Sequence, residues 1–150
     1  MLSPERNGGF SQADAARLYS PALTDPVFGH QSVNVEAQLR TSNSLLHWMR
    51  RMIALRKEYS VFGRGDITFL QPENPAILAY IRTYKGQQML IVNNLSHNSQ
   101  LVTLALSEYA GVSPVEVAGG TSVPAITSEP YPLTLAPYGY YWLDLGRPRT

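Results

Sequence analysis

AILAYIRTYKGQQMLIVNN, residues 76–94, is the stretch of this sequence that decides the fold. Two apolar runs flank the short polar turn YKGQ, which is the pattern of a β-hairpin. In the first run, residues alternate between the two faces of a strand. One face carries Ile77, Ala79 and Ile81, and the other carries Leu78, Tyr80 and Arg82.

The same period-two pattern continues through the rest of the chain. Five further runs rich in β-branched and aromatic residues are DITFL (66–70), QLVTLAL (100–106), PVEVA (114–118), YPLTL (131–135) and YYWLDL (140–145). Turn-forming residues separate them. Seven or eight short strands at this spacing predict a mainly β fold, an antiparallel β-sandwich over residues 61–150.

Residues 44–58, SLLHWMRRMIALRKE, predict one amphipathic helix. Asn43 or Ser44 can cap its start. The apolar stripe of this helix consists of Leu45, Trp48, Met49, Met52 and Ile53. Residues 1–43 are rich in turn formers and offer little to cover the stripe. We therefore assign residues 1–60 and 61–150 to different domains, and we expect the stripe to fold back on the sandwich or to drive self-association.

Composition excludes several functions. The 150 residues carry a formal net charge of +1, which gives no general attraction to nucleic acid or to an anionic membrane. No apolar run approaches the ~20 residues that a membrane span needs, and no secretion signal is visible. We therefore expect a cytoplasmic protein. Cysteine is absent, and the three histidines do not have zinc-ligand spacing, so no metal site is predicted.

The opening stretch RNGGF (6–10) is the first candidate binding segment. Glycine-flanked backbone N–H groups can hold an anion, but phosphate loops lie between a strand and a helix, so a plain turn is the simpler interpretation. Arg6 and Asn7 could instead form hydrogen bonds with sugar hydroxyls. Among the acidic residues, only Glu5 and Glu36 come into consideration for glycoside chemistry, and a structural salt bridge or cap is the simpler role for Glu36.

Three other features have simple structural interpretations beside functional ones. The Arg-Gly-Asp tripeptide at 64–66 joins the helix to a strand, and Asn94-Leu95-Ser96 reads as a turn although it is a formal glycosylation acceptor. In PYGYYWLDL (137–145), Tyr141 should face opposite to Tyr140 and Trp142, so at most half of this aromatic cluster could stack on sugars.

The segment 3–40, SPERNGGFSQADAARLYSPALTDPVFGHQSVNVEAQLR, resembles the stretch that follows the last barrel strand in trehalose synthases of the alpha-amylase family. Helix 44–59 resembles the last barrel helix of that family, and LIVNNLS and LAPYGYYWLDL resemble strands of its C-terminal β-sandwich. The most specific positions are Asp25, Pro26, Gly29, Val33, Asn34, Val35, Glu36, Ala37 and Gln38.

The resemblance implies that residues 1–60 are the loop and last helix of a (β/α)8 barrel, with the opening loop near the sugar-binding rim. The whole enzyme would interconvert maltose and trehalose by retaining glucosyl transfer. The family's three catalytic carboxylates and its calcium site lie upstream of this segment. We therefore assign no catalytic residue, metal ligand or cofactor here, and we expect the missing barrel as partner, with Arg6 and Asn7 near the sugar.

Two other functions stay open on the sequence. The sandwich could be a non-catalytic carbohydrate-binding module with exposed stacking aromatics. The parent could also be a hydrolysing alpha-glucosidase or oligo-1,6-glucosidase. DPVFGHQSVNVEAQ, residues 25–38, argues against that second alternative, because the glucosidases share its NVE part but differ from trehalose synthases in the residues before it.

Overall fold

The computed structural model describes Asn7 and residues 13–146 of the chain. The backbone divides into two compact units, Met1–Ile53 and Ala54–Thr150. The boundary falls inside the longest helix of the described residues.

The first unit is built of loops and helices. A 3-10 turn covers Ala15–Arg17, helix α1 covers Val35–Arg40, and helix α2, Leu45–Glu58, begins in this unit. Helix α1 lies in the otherwise turn-rich stretch of residues 1–43. It forms there because the Asn34 side chain caps it, accepting a hydrogen bond from the backbone N–H of Ala37.

Helix α2 confirms the predicted helix over residues 44–58, and its apolar stripe is largely uncovered. Met52 is buried, whereas Leu45, Met49 and Ile53 keep 68%, 45% and 47% of their surfaces exposed. Ser44 lies at the capping position, and its carbonyl oxygen accepts a hydrogen bond from the backbone N–H of Trp48. Exposure of three large apolar side chains on one helix face is unfavourable in water.

The second unit contains a short extra helix before its strands. This helix, α3, covers Val61–Arg64 and was not predicted from the sequence. Gly65 then ends α3, and a Cβ there would lie 2.6 Å from the carbonyl oxygen of Val61. Only glycine tolerates so close an approach of the backbone.

All seven predicted strand runs form strands, which confirms the mainly β antiparallel fold. The strands are β1 Asp66–Phe69, β2 Ile77–Tyr84, β3 Gln87–Asn94, β4 Gln100–Leu104, β5 Val115–Glu116, β6 Tyr131–Leu135 and β7 Tyr140–Gly146. One sheet has the order β1-β2-β3-β7-β5, and β4 pairs with β6 in the other. Every one of these pairs is antiparallel.

The β2–β3 hairpin turns at Lys85 and Gly86, which both have positive φ angles of 49° and 80°. Two successive residues in the left-handed region match the twist of the flanking strands. This turn fixes the register of the hairpin, from Ile77 opposite Asn94 to Tyr84 opposite Gln87.

The main core lies between the two sheets. The predicted inward face of β2 is confirmed, because Ile77, Ala79 and Ile81 are all buried in it. Side chains from the smaller sheet complete the core: Val102, Leu104, Leu133 and Leu135. The two sheets thus bury one face each against the other, as in a sandwich.

A second, smaller core lies on the opposite face of the five-stranded sheet. Met89 and Ile91 of β3 pack there with Val61 of α3. Half-buried aromatic residues surround them, including Phe62 and Trp142. Strand β3 is therefore buried on both faces, as its unbroken apolar run suggests.

Candidate functional site

The loop of the first unit takes its shape from Asp25. The Oδ1 atom of Asp25 accepts hydrogen bonds from the backbone N–H groups of Val27 and Phe28, at 2.8 and 2.9 Å. The N–H groups of Phe28 and Val27 hold the pKa of the Asp25 carboxyl below its ordinary value of 3.8. Asp25 is therefore a charged cap of this turn at neutral pH.

Gly29 closes the same turn. Its backbone N–H donates to the carbonyl oxygen of Asp25 at 2.6 Å, and its own carbonyl oxygen accepts from the backbone N–H groups of Ser32 and Val33. A Cβ at this position would lie 2.3 Å from the Asp25 oxygen. The conformation of the turn thus requires glycine.

The end of the loop is held by Asn34 and the start of α1. Asn34 is buried, and besides capping α1 it donates from Nδ2 to the carbonyl oxygen of Gln31 at 3.3 Å. Glu36 forms an ion pair with Arg40 one turn later. Glu36 therefore has the structural role that the sequence favoured.

A cavity of about 320 Å³ opens in this unit, and it contains the one candidate sugar-binding residue that the structure describes. Asn7 lines it, with φ at 57° and its Nδ2 atom donating to the carbonyl oxygen of Ala13 at 2.8 Å. Arg6 lies outside the described residues, as do Glu5 and most of RNGGF. The other lining residues are Leu18, Ser20, Ala22, Leu23, Phe28, His30 and Val33.

The chemistry of this cavity suits binding rather than bond cleavage. Phe28 is 72% exposed and offers an apolar ring face. The Asn7 and Ser20 side chains provide hydrogen-bonding groups, and His30 Nδ1 lies 3.2 Å from the Leu23 carbonyl oxygen. No carboxylate is among the described lining residues, so they provide no acid–base pair.

Phe28, Ser20 and His30 are not among the candidate site residues predicted from the sequence. Phe28 and His30 flank Gly29 within the DPVFGHQ stretch that carries the family resemblance, and this proximity is the signal that could have identified them. Their convergence on Asn7 depends on the loop conformation that Asp25 and Gly29 fix.

The aromatic cluster of the second unit divides between two faces, as the strand alternation predicted. Tyr141 packs against the main core, and its hydroxyl donates to the carbonyl oxygen of Thr134 at 3.3 Å. The Trp142 ring lies 4.6 Å from the Phe62 ring and 6.1 Å from the Tyr140 ring, measured between centroids. The Tyr140 and Trp142 rings remain half-exposed.

The two short motifs have structural roles. Arg64 ends α3, Gly65 caps it, and Asp66 begins β1 opposite Thr83, so the tripeptide is not presented on a loop tip. Asn94 is only 2% exposed, and its amide nitrogen is used in two hydrogen bonds. It is inaccessible as a glycosylation acceptor in the folded chain.

Within residues 13–146 and Asn7, no group of three or more histidine or acidic side chains is arranged to hold a metal ion. Among the same residues, no helix has the length and apolar character to cross a bilayer.

Comparison with known proteins identifies both the domain and its relatives. The maltogenic amylase C-terminal domain family matches residues 67–142. The chain is 48% identical over 152 residues to the trehalose synthase of Pimelobacter sp. strain R48, covering 99% of this chain and 26% of that protein. It thus spans about a quarter of that relative's length. The oligo-1,6-glucosidase of Bacillus sp. strain F5 is more distant, at 32% identity over 55% of this chain and 15% of that protein.

Solved structures agree on the fold. The trehalulose synthase MutB of Pseudomonas mesoacidophila MX-45 matches with a TM-score of 0.65 and 22% identity, covering 92% of this chain and 23% of that chain. At this identity the match shows the fold alone. Together with the family match over 67–142, these similarities confirm the resemblance found in the sequence. The chain belongs to the maltogenic amylase C-terminal domain family, within the alpha-amylase family of enzymes.

Proposed function

We propose that this chain is the C-terminal part of an enzyme that interconverts maltose and trehalose by intramolecular glucosyl transfer. The observation that carries this proposal is the 48% identity with a trehalose synthase over 99% of the chain. The more distant oligo-1,6-glucosidase aligns with only about half of the chain. We therefore favour glucosyl transfer over hydrolysis.

In this proposal the chain carries no catalytic carboxylate. A retaining glucosyl transfer needs two carboxyl groups facing each other across the scissile bond. Among the described acidic residues, Asp25 caps a turn, Glu36 is paired with Arg40, and the buried Glu116 accepts hydrogen bonds from the backbone N–H groups of Ala118 and Gly119. These carboxylates serve the local fold, which is why we propose a mainly structural role.

The loop cavity of the first unit would contribute to the sugar-binding rim. Asn7 would donate a hydrogen bond to a sugar hydroxyl, and Arg6 would lie beside it. Exposed Phe28 would cover an apolar face of the sugar, as aromatic rings do in many binding sites. The absence of a carboxylate among the described lining residues fits a positioning role.

The proposed partner is the catalytic barrel, formed by the remainder of a longer protein. Support comes from the fraction of the Pimelobacter relative that the chain spans, 26%, and from the exposed face of α2. We retain the division into residues 1–60, belonging to that barrel, and 61–150, the sandwich. We propose a cytoplasmic location and no cofactor in this segment.

A chimera tests the proposal. The aligned segment of the Pimelobacter trehalose synthase would be replaced by this chain, and trehalose and free glucose formed from maltose would be measured by chromatography. We expect the chimera to form trehalose, and the 150-residue chain alone to be inactive. A folded chimera that releases only glucose would contradict the transferase proposal. Activity of the chain alone would contradict the proposal that this chain carries no catalytic carboxylate.

The role of Asn7 is tested in the same chimera. Loss of one neutral hydrogen bond should lower kcat/KM for maltose by roughly 2- to 10-fold in Asn7→Ala. Asn93→Ala, a half-buried asparagine of strand β3 with no such proposed role, is the matched control. Equal kcat/KM values in both variants would exclude Asn7 from sugar binding.

The half-exposed Tyr140 and Trp142 rings favour a second candidate function, a carbohydrate-binding module. Isothermal titration of the chain with maltose separates the two proposals. Binding that is lost in Trp142→Ala but kept in Asn7→Ala would support the module. Binding that depends on Asn7 would support the rim.

A further inference from the structure

A second cavity, in the unit that contains the β-sandwich, has a different chemistry. It measures about 270 Å³ and is lined by Arg56, Phe62, Tyr80, Arg82 and Trp142. We call it the Arg56–Arg82 cavity. Two guanidinium groups and three aromatic rings therefore meet at one concave site, and all five residues belong to residues 54–150.

The Arg82 side chain has one buried hydrogen-bond donor that is not satisfied. Its Nε atom is buried and has no hydrogen-bond partner among the described residues. A guanidinium group stays protonated in proteins and can only donate. A buried donor without an acceptor destabilises the fold, and more so when it carries charge. Nε itself is out of reach of a ligand oxygen, so an anion in the cavity would compensate the charge of the desolvated guanidinium group, which lines that cavity.

The strand register explains why Arg82 is fixed there. Arg82 lies in β2 between Ile67 of β1 and Met89 of β3, so neighbours on both sides restrict its stem. Met89 belongs to the small core beneath the aromatic residues. The guanidinium is thus held by the sheet and does not depend on a flexible loop.

No described carboxylate neutralises the two arginines. The ion pair found among residues 13–146 joins Glu36 and Arg40, in the other unit. Asp144, two residues beyond Trp142 on β7, does not line the cavity, and its Oδ1 accepts a hydrogen bond from the backbone N–H of Gly146 at 2.8 Å. Positive charge in a concave, partly desolvated site attracts an anion.

We propose that the Arg56–Arg82 cavity binds an oxyanion, and that its ligand is a phosphate monoester of about monosaccharide size. Guanidinium groups bind phosphate oxygens through paired hydrogen bonds with matching geometry. The cavity is larger than a phosphate group alone, and the rings of Trp142, Phe62 and Tyr80 provide apolar surface for the body of an ester. This proposal does not depend on the function proposed above.

Trp142 provides the reporter for the test. The chain has two tryptophans, so Trp48→Phe leaves Trp142 as the sole indole fluorophore. This variant would be titrated with inorganic phosphate, glucose 6-phosphate or glucose, with sodium chloride holding the ionic strength constant. We expect a saturable fluorescence change and a raised Tm with both phosphates, and neither with glucose.

Substitutions assign the response to the cavity. Arg82→Gln and Arg56→Gln should each weaken binding of glucose 6-phosphate by about 10- to 100-fold, the loss expected for hydrogen bonds to a charged group. Arg51→Gln, an exposed arginine of α2 that does not line the cavity, should bind like the parent. If Arg82→Gln fails to fold, the exposed Arg56 makes Arg56→Gln the deciding variant.

Three results would overturn the proposal. The first is a change with the phosphates that is no larger than with sodium chloride, and the second is equal binding in folded Arg56→Gln and Arg82→Gln. The third is binding of glucose as tight as that of glucose 6-phosphate, which would show stacking of a neutral sugar without recognition of an oxyanion. Binding of phosphate and of glucose 6-phosphate at similar affinity would support the oxyanion site. It would contradict the part of the proposal in which the aromatic rings contact the sugar of the ester.

Discussion

Asp25 and Gly29 are joined by a 2.6 Å hydrogen bond from the backbone N–H of Gly29 to the carbonyl oxygen of Asp25. The approach is so close that a Cβ on Gly29 would lie 2.3 Å from that oxygen. This single contact fixes the turn that holds Phe28 and His30 on the wall of the loop cavity.

Gly29→Ala should therefore open the loop, because the turn cannot keep this hydrogen bond with a side chain present. Overpacking of this kind costs roughly 1–3 kcal/mol, equivalent to an about 5- to 150-fold faster amide exchange. The His30 N–H, which donates to Leu23 at 3.2 Å, is the amide to monitor. Gly63→Ala is the control, since a Cβ there meets nothing within 4 Å. Unchanged His30 exchange in Gly29→Ala would contradict the turn geometry.

The turn that Asp25 caps should lose stability at acidic pH. The N–H groups of Phe28 and Val27 lower the folded-state pKa of Asp25 below 3.8, so the charged cap contributes fully above that value. Its contribution is lost as the pH falls through the lower folded-state pKa. The amide chemical shifts of Val27 and Phe28 should titrate with a midpoint below pH 3.8, and Asp25→Asn should abolish this titration. A midpoint at or above 3.8 would show that the cap is not formed.

Much of the sandwich follows from sequence because its signals are local. The alternation of β2 and the turn residues Lys85 and Gly86 define a hairpin without reference to the rest of the chain. The second small core was not predicted. This core forms where Val61 packs against Met89 and Ile91 of the sheet. Val61 belongs to a four-residue helix, which is too short to show a periodic pattern in the sequence.

The candidate sites were predicted less well, because cavities combine residues that are distant in sequence. Asn7 was identified from a loop motif, but Phe28 joins it only through the Asp25 turn. Strand alternation places Arg82 on the outward face, yet no sequence pattern connects it with Arg56 of α2. Such convergence depends on tertiary packing, which periodicity does not report.

Asn94 should be essential for stability rather than for modification. Its Nδ2 atom donates to the carbonyl oxygens of Asn98 and Ala136 at 2.7 and 2.9 Å, and its Oδ1 accepts from the Ser96 N–H at 2.9 Å. Asn94→Ala leaves these groups unpaired and should reduce the free energy of unfolding by about 2–3 kcal/mol. Urea denaturation measures the loss, and Asn93→Ala is the neighbouring control. A loss no larger than the control's would rule out this role.

The exposed face of α2 should decide the oligomeric state of the isolated chain. Leu45, Met49 and Ile53 lie on one stripe and are each more than two-fifths exposed, while Met52 of the same stripe is buried. Water disfavours such a surface, and a second copy of the chain can cover it. Sedimentation velocity should therefore show concentration-dependent dimers.

Replacing these three residues by glutamine should convert the dimers to monomers with an unchanged β-sheet spectrum, because the substitutions remove the apolar contact and leave the sandwich intact. The matched control is the pair Arg50→Gln and Lys57→Gln, which changes exposed charged residues of the same helix and should leave dimerisation in place. At 100 µM, a concentration of about 10⁻⁴ M, even weak association becomes measurable. If the parent chain stays monomeric there, the stripe is tolerated in water and α2 does not mediate self-association.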